Sequence, residues 1–385
     1  MKVLFCASDN SATSGAFLCL LDLCILLKKD NIDTMVILPY EGTGTELLKC
    51  NQIPYKLIKS YSWTINKDKQ CSIVENIKFI IKFFLNIVAI LRIYRVISEE
   101  EVTIVHNNTT WGYVGIIAAL LARKKCVWHF REVMELSQNS TIAYGWNFAG
   151  FLMKRTDRLV AVSNFVKKYF EEKLQLHVDS IYDGVDSKFI LPEREVFKGQ
   201  VVNIALIGGL SKGKGQEFMV DALARVDHSV RSKLCLIFIG GYDEKDKKYI
   251  LDKAKKANVY DNVLLMGIRN DMENVYASTD IVCVCSNYEA FGRTLAEGML
   301  AGCLIIGPNS GSADELIVDK VNGYKYEADN ADSMAECIKY AILNRHESNE
   351  LAKQGCRISK QKYTNIVNEK NIKRMYIECL AEKSN

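Results

Sequence analysis

The stretch Asp280–Gly307, "DIVCVCSNYEAFGRTLAEGMLAGCLIIG", decides the fold. It runs an apolar strand into a serine, a Glu-Ala-Phe-Gly turn, a helical segment, an Ala-Gly stop and a second apolar strand. Continuous apolar runs with helices between them mark parallel strands covered on both faces. The same alternation extends outward from this stretch. It is seen in "KVLFCAS" (2–8), "TMVILPY" (34–40), "VTIVHNN" (102–108), "KCVWHF" (125–130), "RLVAVS" (158–163) and "DSIYDG" (179–184). It then restarts near residue 201 with "NIALIGGL", "LCLIFIGG" and "NVLLMG". The chain of 385 residues therefore reads as α/β, with two Rossmann-like, doubly wound parallel-sheet domains facing a central cleft. The expected boundaries are 1–190 for the N-terminal domain, 191–200 for a linker, 201–362 for the C-terminal domain and 363–385 for a terminal helix. The linker is placed in "SKFILPEREVFKGQ" (187–200), with its charge cluster and Pro192.

Composition narrows the class. With 49% hydrophobic and 25% charged residues, the chain is an ordinary globular protein, which excludes disorder and collagen-like repeats. Fifty basic and 46 acidic side chains leave a formal charge of +4, too balanced for nucleic-acid binding to be read from it. The 13 cysteines lie largely in apolar runs without a C-x-x-C pair, and the five histidines are scattered. This reads as buried thiols in a reducing, cytoplasmic setting, with no structural metal. The N-terminus enters a first strand directly, without a signal-peptide pattern.

Residues 73–97, "IVENIKFIIKFFLNIVAILRIYRVI", are mostly apolar but broken by Glu75, Lys78, Lys82, Asn86, Arg92 and Arg95. The uncharged run Phe83–Leu91 is too short to span a bilayer. The spacing predicts a helix packed on a sheet, its greasy faces inward and its basic stripe in water. The same basic stripe also suits an anionic membrane surface, as a peripheral association.

Three loops carry residues suited to chemistry. A helix opening near Gly292 would point its free N–H groups and dipole beside Glu289, an anion site, with Glu297 about one turn further in. Carboxylates accept hydrogen bonds from sugar hydroxyls. "IALIGGLSKGKGQEF" supplies a glycine-rich turn, Gly208 and Gly209, leading through Lys212 and Lys214, where backbone approach and ammonium charge suit a phosphate. In the first half, "SATSGAF" places Ser14 and Gly15 at a helix start, with Gly15 suited to a tight turn, and "CVWHFRE" places His129, Arg131 and Glu132 at a strand end.

With these motifs the chain resembles the family 4 retaining glycosyltransferases, also called glycosyl transferases group 1, over nearly its whole length. The resemblance implies the GT-B fold and a terminal helix that returns to the first domain. It implies that Glu289 contacts donor-sugar hydroxyls and Glu297 the ribose, that Ala290, Phe291, Gly292 and Arg293 hold the sugar and diphosphate, and that Gly267 and Ile268 complete the donor site. It implies that Lys214 clamps the diphosphate and that His129 contacts the donor. His129, Lys214 and Glu289 thus form the expected catalytic set. Asn107, Arg131 and Glu132 form the expected acceptor side. Where the family has a phosphate-binding arginine, this chain has Gly209, a departure that Lys212 or Arg293 would have to offset.

The expected activity is retaining transfer of a sugar from a UDP- or GDP-type donor to a glycan or lipid-linked acceptor. The motif resembles that of enzymes of bacterial surface polysaccharide and capsule synthesis, working in the cytoplasm or peripherally on the inner membrane face. No D-x-D triplet occurs, so neither a metal nor another cofactor is expected. Two alternatives stand beside it: a nucleotide-sugar epimerase on the same fold, and a non-catalytic nucleotide-sugar-binding partner of another transferase.

Overall fold

The computed structural model of the chain describes residues 1–70 and 72–382; the side chain of Lys212, expected above to face the donor, lies outside the described residues. The chain divides into two compact units, Val185–Thr364 and the remainder, Met1–Gly184 joined by the segment from Asn365 onward.

Unit 1 contains β1 (Lys2–Cys6), β2 (Asp33–Leu38), β3 (Tyr55–Leu57), β4 (Thr64–Asn66), β5 (Ile104–Asn107), β6 (Lys125–Phe130), β7 (Ser140–Ile142), β8 (Arg158–Ala161) and β9 (Asp179–Ser180). Seven of them form one sheet in the order β3-β2-β1-β5-β6-β8-β9, with every pair parallel, while β4 and β7 form a small antiparallel ribbon. Cys6 lies opposite Ile37 on one side and Asn107 on the other. The strand order reverses between β1 and β5, so their carboxyl-end loops flank the crevice where parallel sheets hold ligands. Unit 2 contains β10 (Val202–Ile207), β11 (Leu234–Ile239), β12 (Val263–Gly267), β13 (Ile281–Cys283), β14 (Leu304–Pro308) and β15 (Tyr324–Tyr326). These form an all-parallel sheet in the order β12-β11-β10-β13-β14-β15, reversing between β10 and β13.

The two halves repeat one device. Asp157 precedes β8, and its carboxylate accepts the Cys126 N–H and the Lys125 ammonium, each at 2.9 Å. Asp280 precedes β13 and accepts the N–H groups of Phe197 at 2.7 Å and Asn203 at 2.9 Å. Each carboxylate ties its strand's entry to the start of the neighbouring strand, where the ladder has no carbonyl to offer.

Two expectations are corrected here. Residues 191–200 are not a linker: Val196 and Phe197 are buried in the core of unit 2, and the Arg194 guanidinium donates to the carbonyls of Ala277 at 2.9 Å, Tyr276 at 3.0 Å and Thr279. Glu193, Glu195 and Lys198 face water while Arg194 and the apolar Val196 and Phe197 anchor the segment, so composition alone misread it. The division falls instead at Val185, whose N–H donates to the Tyr363 carbonyl at 2.9 Å. The terminal helix Asn365–Ala381 belongs to unit 1, where Ile372, Met375 and Tyr376 join the core beside the helix Gly15–Lys29.

The second correction concerns the helix Ile73–Glu99. It buries Phe79, Asn86, Ala89, Ile90, Ile93, Val96 and Ile97, while Ile77, Ile80, Ile81, Phe84, Val88 and Leu91 are exposed. The polar stripe is thus only partly in water. Asn86 is fully buried because its amide donates to the Tyr61 carbonyl at 2.9 Å and the Tyr113 hydroxyl at 3.1 Å, and accepts the Tyr61 N–H at 2.8 Å. These bonds pull the Asn86 side inward and turn much of the greasy surface out.

Asp280→Ala should destabilise the protein by about 2 kcal/mol, the usual cost of leaving buried N–H groups without an acceptor. A thermal melt that shows no loss for this variant would remove Asp280 from its role.

Candidate functional site

In unit 2 the strand-end loops of β10 and β13 bring Lys214 and Glu289 together. The Lys214 ammonium lies 2.5 Å from Glu289 Oε1, which also accepts the Ser286 hydroxyl. Burial pushes the Glu289 carboxyl up, but the Lys214 ammonium and the Ser286 hydroxyl outweigh it and hold the carboxyl below its ordinary value. Gly215 explains why a glycine follows the lysine. Its φ is +75°, and a Cβ there would sit 2.5 Å from Cys285 Cβ, so no side chain fits where the lysine loop closes on β13. Gln216, almost fully buried, braces the loop by donating to the Gly209 carbonyl at 3.0 Å. Gly208 and Gly209 offer backbone only, and Gly209 is exposed.

Gly292 sits at the N-cap of the helix Arg293–Leu300 with φ +82°, a left-handed conformation that suits glycine, and its carbonyl accepts the Leu295 N–H at 3.0 Å and the Ala296 N–H at 3.2 Å. The Ser312 N–H donates to the Glu289 carbonyl at 3.0 Å and anchors that loop. Phe291 is buried edge-on to Tyr363. Glu297 is buried. Its Oε2 accepts the Tyr276 hydroxyl at 2.8 Å and its Oε1 lies 3.3 Å from the Arg293 guanidinium. Burial raises the Glu297 carboxyl above its ordinary value, opposed by Arg293 and Tyr276. Gly267 ends β12, its carbonyl accepting the Gly240 N–H at 2.9 Å, and Ile268 beyond it is 68% exposed.

In unit 1 the residues expected to act gather around buried polar groups. Ser14 caps the helix Gly15–Lys29, its Oγ accepting the Phe17 N–H at 3.4 Å. Gly15 is the first residue of that helix, not the tight turn expected of it, because the Ser14 cap already closes the helix start. Asn107 spends its amide on its own loop, donating to the carbonyls of Thr109 at 2.7 Å and Gly112 at 2.9 Å. Arg131 is buried, paired with Asp183 and donating Nε–H to Asn108 Oδ1 at 3.0 Å.

His129 is fully buried, and the geometry fixes where its proton lies. Its Nδ1 faces Arg131 Nη2 at 3.5 Å and His106 Nε2 at 3.2 Å. A guanidinium can only donate, so His129 Nδ1 is the acceptor and His106 Nε2 carries a proton toward it. His106 Nδ1 then accepts the Tyr376 hydroxyl at 2.6 Å. The proton of His129 is left on Nε2, a buried donor with no partner among the described residues. Burial, reinforced by the Arg131 charge, depresses both histidines well below their ordinary range, so both stay neutral.

Glu132 accepts the Thr110 N–H at 2.7 Å and also the Thr110 hydroxyl. Burial pushes its carboxyl up to about 7, with Thr110 and Arg131 opposing and Asp9 adding to the rise. Sequence reasoning missed Ser286, Tyr276, Gln216, His106, Thr110 and Tyr376. His106 stood in a quoted strand end, and Ser286 and Gln216 within quoted motifs but without a role read from them; Tyr276, Thr110 and Tyr376 lie outside the motifs.

Known families match both halves of the chain. The family described as glycosyl transferases group 1 matches residues 188–357, and glycosyltransferase family 4 matches residues 19–189. The chain belongs to this family and is a glycosyltransferase of the GT-B fold. It is 23% identical to the UDP-Gal:alpha-D-GlcNAc-diphosphoundecaprenol alpha-1,3-galactosyltransferase of Escherichia coli, over 77% of this chain and 80% of that one. It is 22% identical to a glycosyltransferase of Methanocaldococcus jannaschii, over 81% and 87% of the two chains. Among solved structures, HepE of Anabaena in complex with UDP superposes with a TM-score of 0.81 at 21% identity, over 98% of this chain and all of the other (100%).

Two measurements check the unit 1 geometry. In histidine ¹⁵N spectra, His129 should remain neutral with its proton on Nε2 across the range in which a free imidazole titrates. Glu132 has a folded pKa of about 7 against about 4.3 for an unfolded glutamate. Between those values the folded state holds more protons, so stability should fall as pH rises from about 4.3 to about 7. Glu132→Gln should flatten that fall in a pH series of melts.

Proposed function

We propose that this glycosyltransferase retains the configuration of its donor sugar, takes that sugar from a UDP- or GDP-type donor without a metal, and passes it to a glycan or lipid-linked acceptor of a bacterial surface polysaccharide. The observation that carries the reading is the Lys214–Glu289 pair beside the Gly292 helix start. A diphosphate leaving there would meet an ammonium and the positive end of a helix dipole, the charge pattern that stabilises a developing anion. Glu289 would accept from sugar hydroxyls, as the family resemblance implies, and Glu297 from the ribose.

Among the described residues of unit 2, the two carboxylates of the site are already engaged, Glu289 by Lys214 and Ser286 and Glu297 by Tyr276 and Arg293, which supports a route without a carboxylate nucleophile. The reading is therefore attack on the face from which the diphosphate departs. The anomeric C–O bond to phosphate breaks as the acceptor oxygen bonds the same carbon, and the hydroxyl proton passes to a phosphate oxygen. His129, a fixed neutral donor, would serve the donor's oxygens, and Arg131 and Glu132 the acceptor side. The E. coli relative is named for a UDP-sugar and a diphosphoundecaprenol acceptor, which supports a lipid-linked acceptor met at the inner membrane face, with residues 73–97 toward an anionic surface. A basic residue is absent at Gly209, so Lys214 and Arg293 would carry the leaving-group charge.

Lys214→Ala should lower donor turnover by 10²-fold or more, by analogy with loss of one oxyanion donor. Glu297→Ala should abolish the thermal stabilisation given by the preferred nucleotide, about 2.7 kcal/mol at 100 times its Kd. Turnover should survive EDTA; strict dependence on magnesium or manganese would overturn the metal-free reading. Binding of the nucleotide without any donor turnover would favour the non-catalytic partner.

A further inference from the structure

The helix Ile73–Glu99 spans 27 residues and is apolar around nearly its whole circumference, yet unit 1 covers only one side of it. A helix that is hydrophobic all round needs an apolar environment all round. Taking 100° per residue from Asn86 at the centre of the buried side, the opposite side carries Ile73, Ile77, Ile80, Ile81, Phe84, Val88 and Leu91. All seven are exposed, Ile77 by 53%, Phe84 by 63% and Leu91 by 52%. No polar residue projects from that outward side until Arg95 at its end.

The charges are distributed to match. Lys78 lies on a flank, paired with Glu75 at 2.8 Å, and Arg92 lies on the same flank nearer the helix end, while Lys82 belongs to the buried side, its ammonium 4.3 Å over the Phe79 ring. Four basic residues stand against Glu75 and Glu99 over the helix. Basic side chains at the rim of an apolar strip suit a surface that is greasy inside and anionic at its edge. A second copy of the chain would set an apolar strip against its like, but its rim would offer the same cations.

From these observations we infer that the helix Ile73–Glu99 docks unit 1 on an anionic lipid bilayer. It lies in the interface plane with the Ile77–Leu91 strip among the acyl chains and Lys78, Arg92 and Arg95 at the headgroups. This differs from contact through the basic stripe alone, because the outward side is the apolar one. It lies on the bilayer and does not cross it; no helix among the described residues is long and apolar enough to cross a membrane. The inference rests on the acceptor reading only in that a lipid-linked acceptor would be met there.

The test is flotation of the full chain with vesicles of phosphatidylglycerol and phosphatidylcholine, and of phosphatidylcholine alone, without donor or acceptor. The wild type should float with the anionic vesicles, and a substantial part should stay bound at 0.5 M salt, since the apolar contact is not screened. Ile77→Ser, Phe84→Glu and Val88→Glu together should cut partitioning at least tenfold while leaving circular dichroism and soluble-acceptor turnover unchanged. Replacing Lys78, Arg92 and Arg95 by Gln should weaken binding by roughly fivefold per charge at low salt, on anionic vesicles only. A wild type that ignores both vesicles overturns the inference, as does a dimer dispersed by the triple variant without lipid binding. Loss of turnover with a soluble acceptor would count against the catalytic reading and leave the surface proposal standing.

Discussion

Everything in this molecule follows from the requirement that a parallel sheet buried on both faces return each strand to the next through a helix. The returns place all strand-end loops of a sheet on one edge, and the reversal of strand order opens that edge between two central strands. In unit 2 the edge holds the Lys214 loop and the Glu289 loop, which are 75 residues apart in sequence yet form an ion pair at 2.5 Å. In unit 1 it holds the loops after β1, β5 and β6, and with them Asp9, Thr110, Arg131 and Glu132. A sheet with antiparallel returns would scatter these groups over both edges.

The same burial that makes the sheets stable forces the polar groups at their ends into fixed arrangements. Arg131 cannot accept a hydrogen bond, and that single fact propagates through His129 and His106 to Tyr376, setting the proton on each ring. Tyr376 comes from the terminal helix, so a residue near the end of the chain helps fix the state of one on β6. Glu289 and Glu297 differ for a comparable reason. Both are removed from water, but Glu289 has an ammonium beside it and stays charged, while Glu297 is compensated less fully by Arg293 and Tyr276 and is held toward its neutral form.

The helix Ile73–Glu99 shows how one polar side chain can decide the orientation of a long element. Its periodicity offers two ways to bury an apolar face. Asn86, through its three hydrogen bonds to Tyr61 and Tyr113, selects the one that leaves Phe84 and its neighbours outside. Had that position been apolar, the greasier side could have turned inward.

The sequence by itself determined the two parallel-sheet halves, because uninterrupted runs such as "KVLFCAS" and "CLIIGP" are stable only when covered on both faces. It also determined the helix start at Gly292 and the lysine-glycine turn at Lys214 and Gly215, since these are local conformations dictated by neighbouring residue types. The tertiary structure alone decided that residues 191–200 pack into unit 2, that Lys214 meets Glu289, that His129 is held by His106 and Tyr376, and which side of the helix Ile73–Glu99 faces out. Those outcomes depend on contacts between residues tens to hundreds of positions apart, and hydrogen-bond partners at such separations leave no periodicity for a sequence to display.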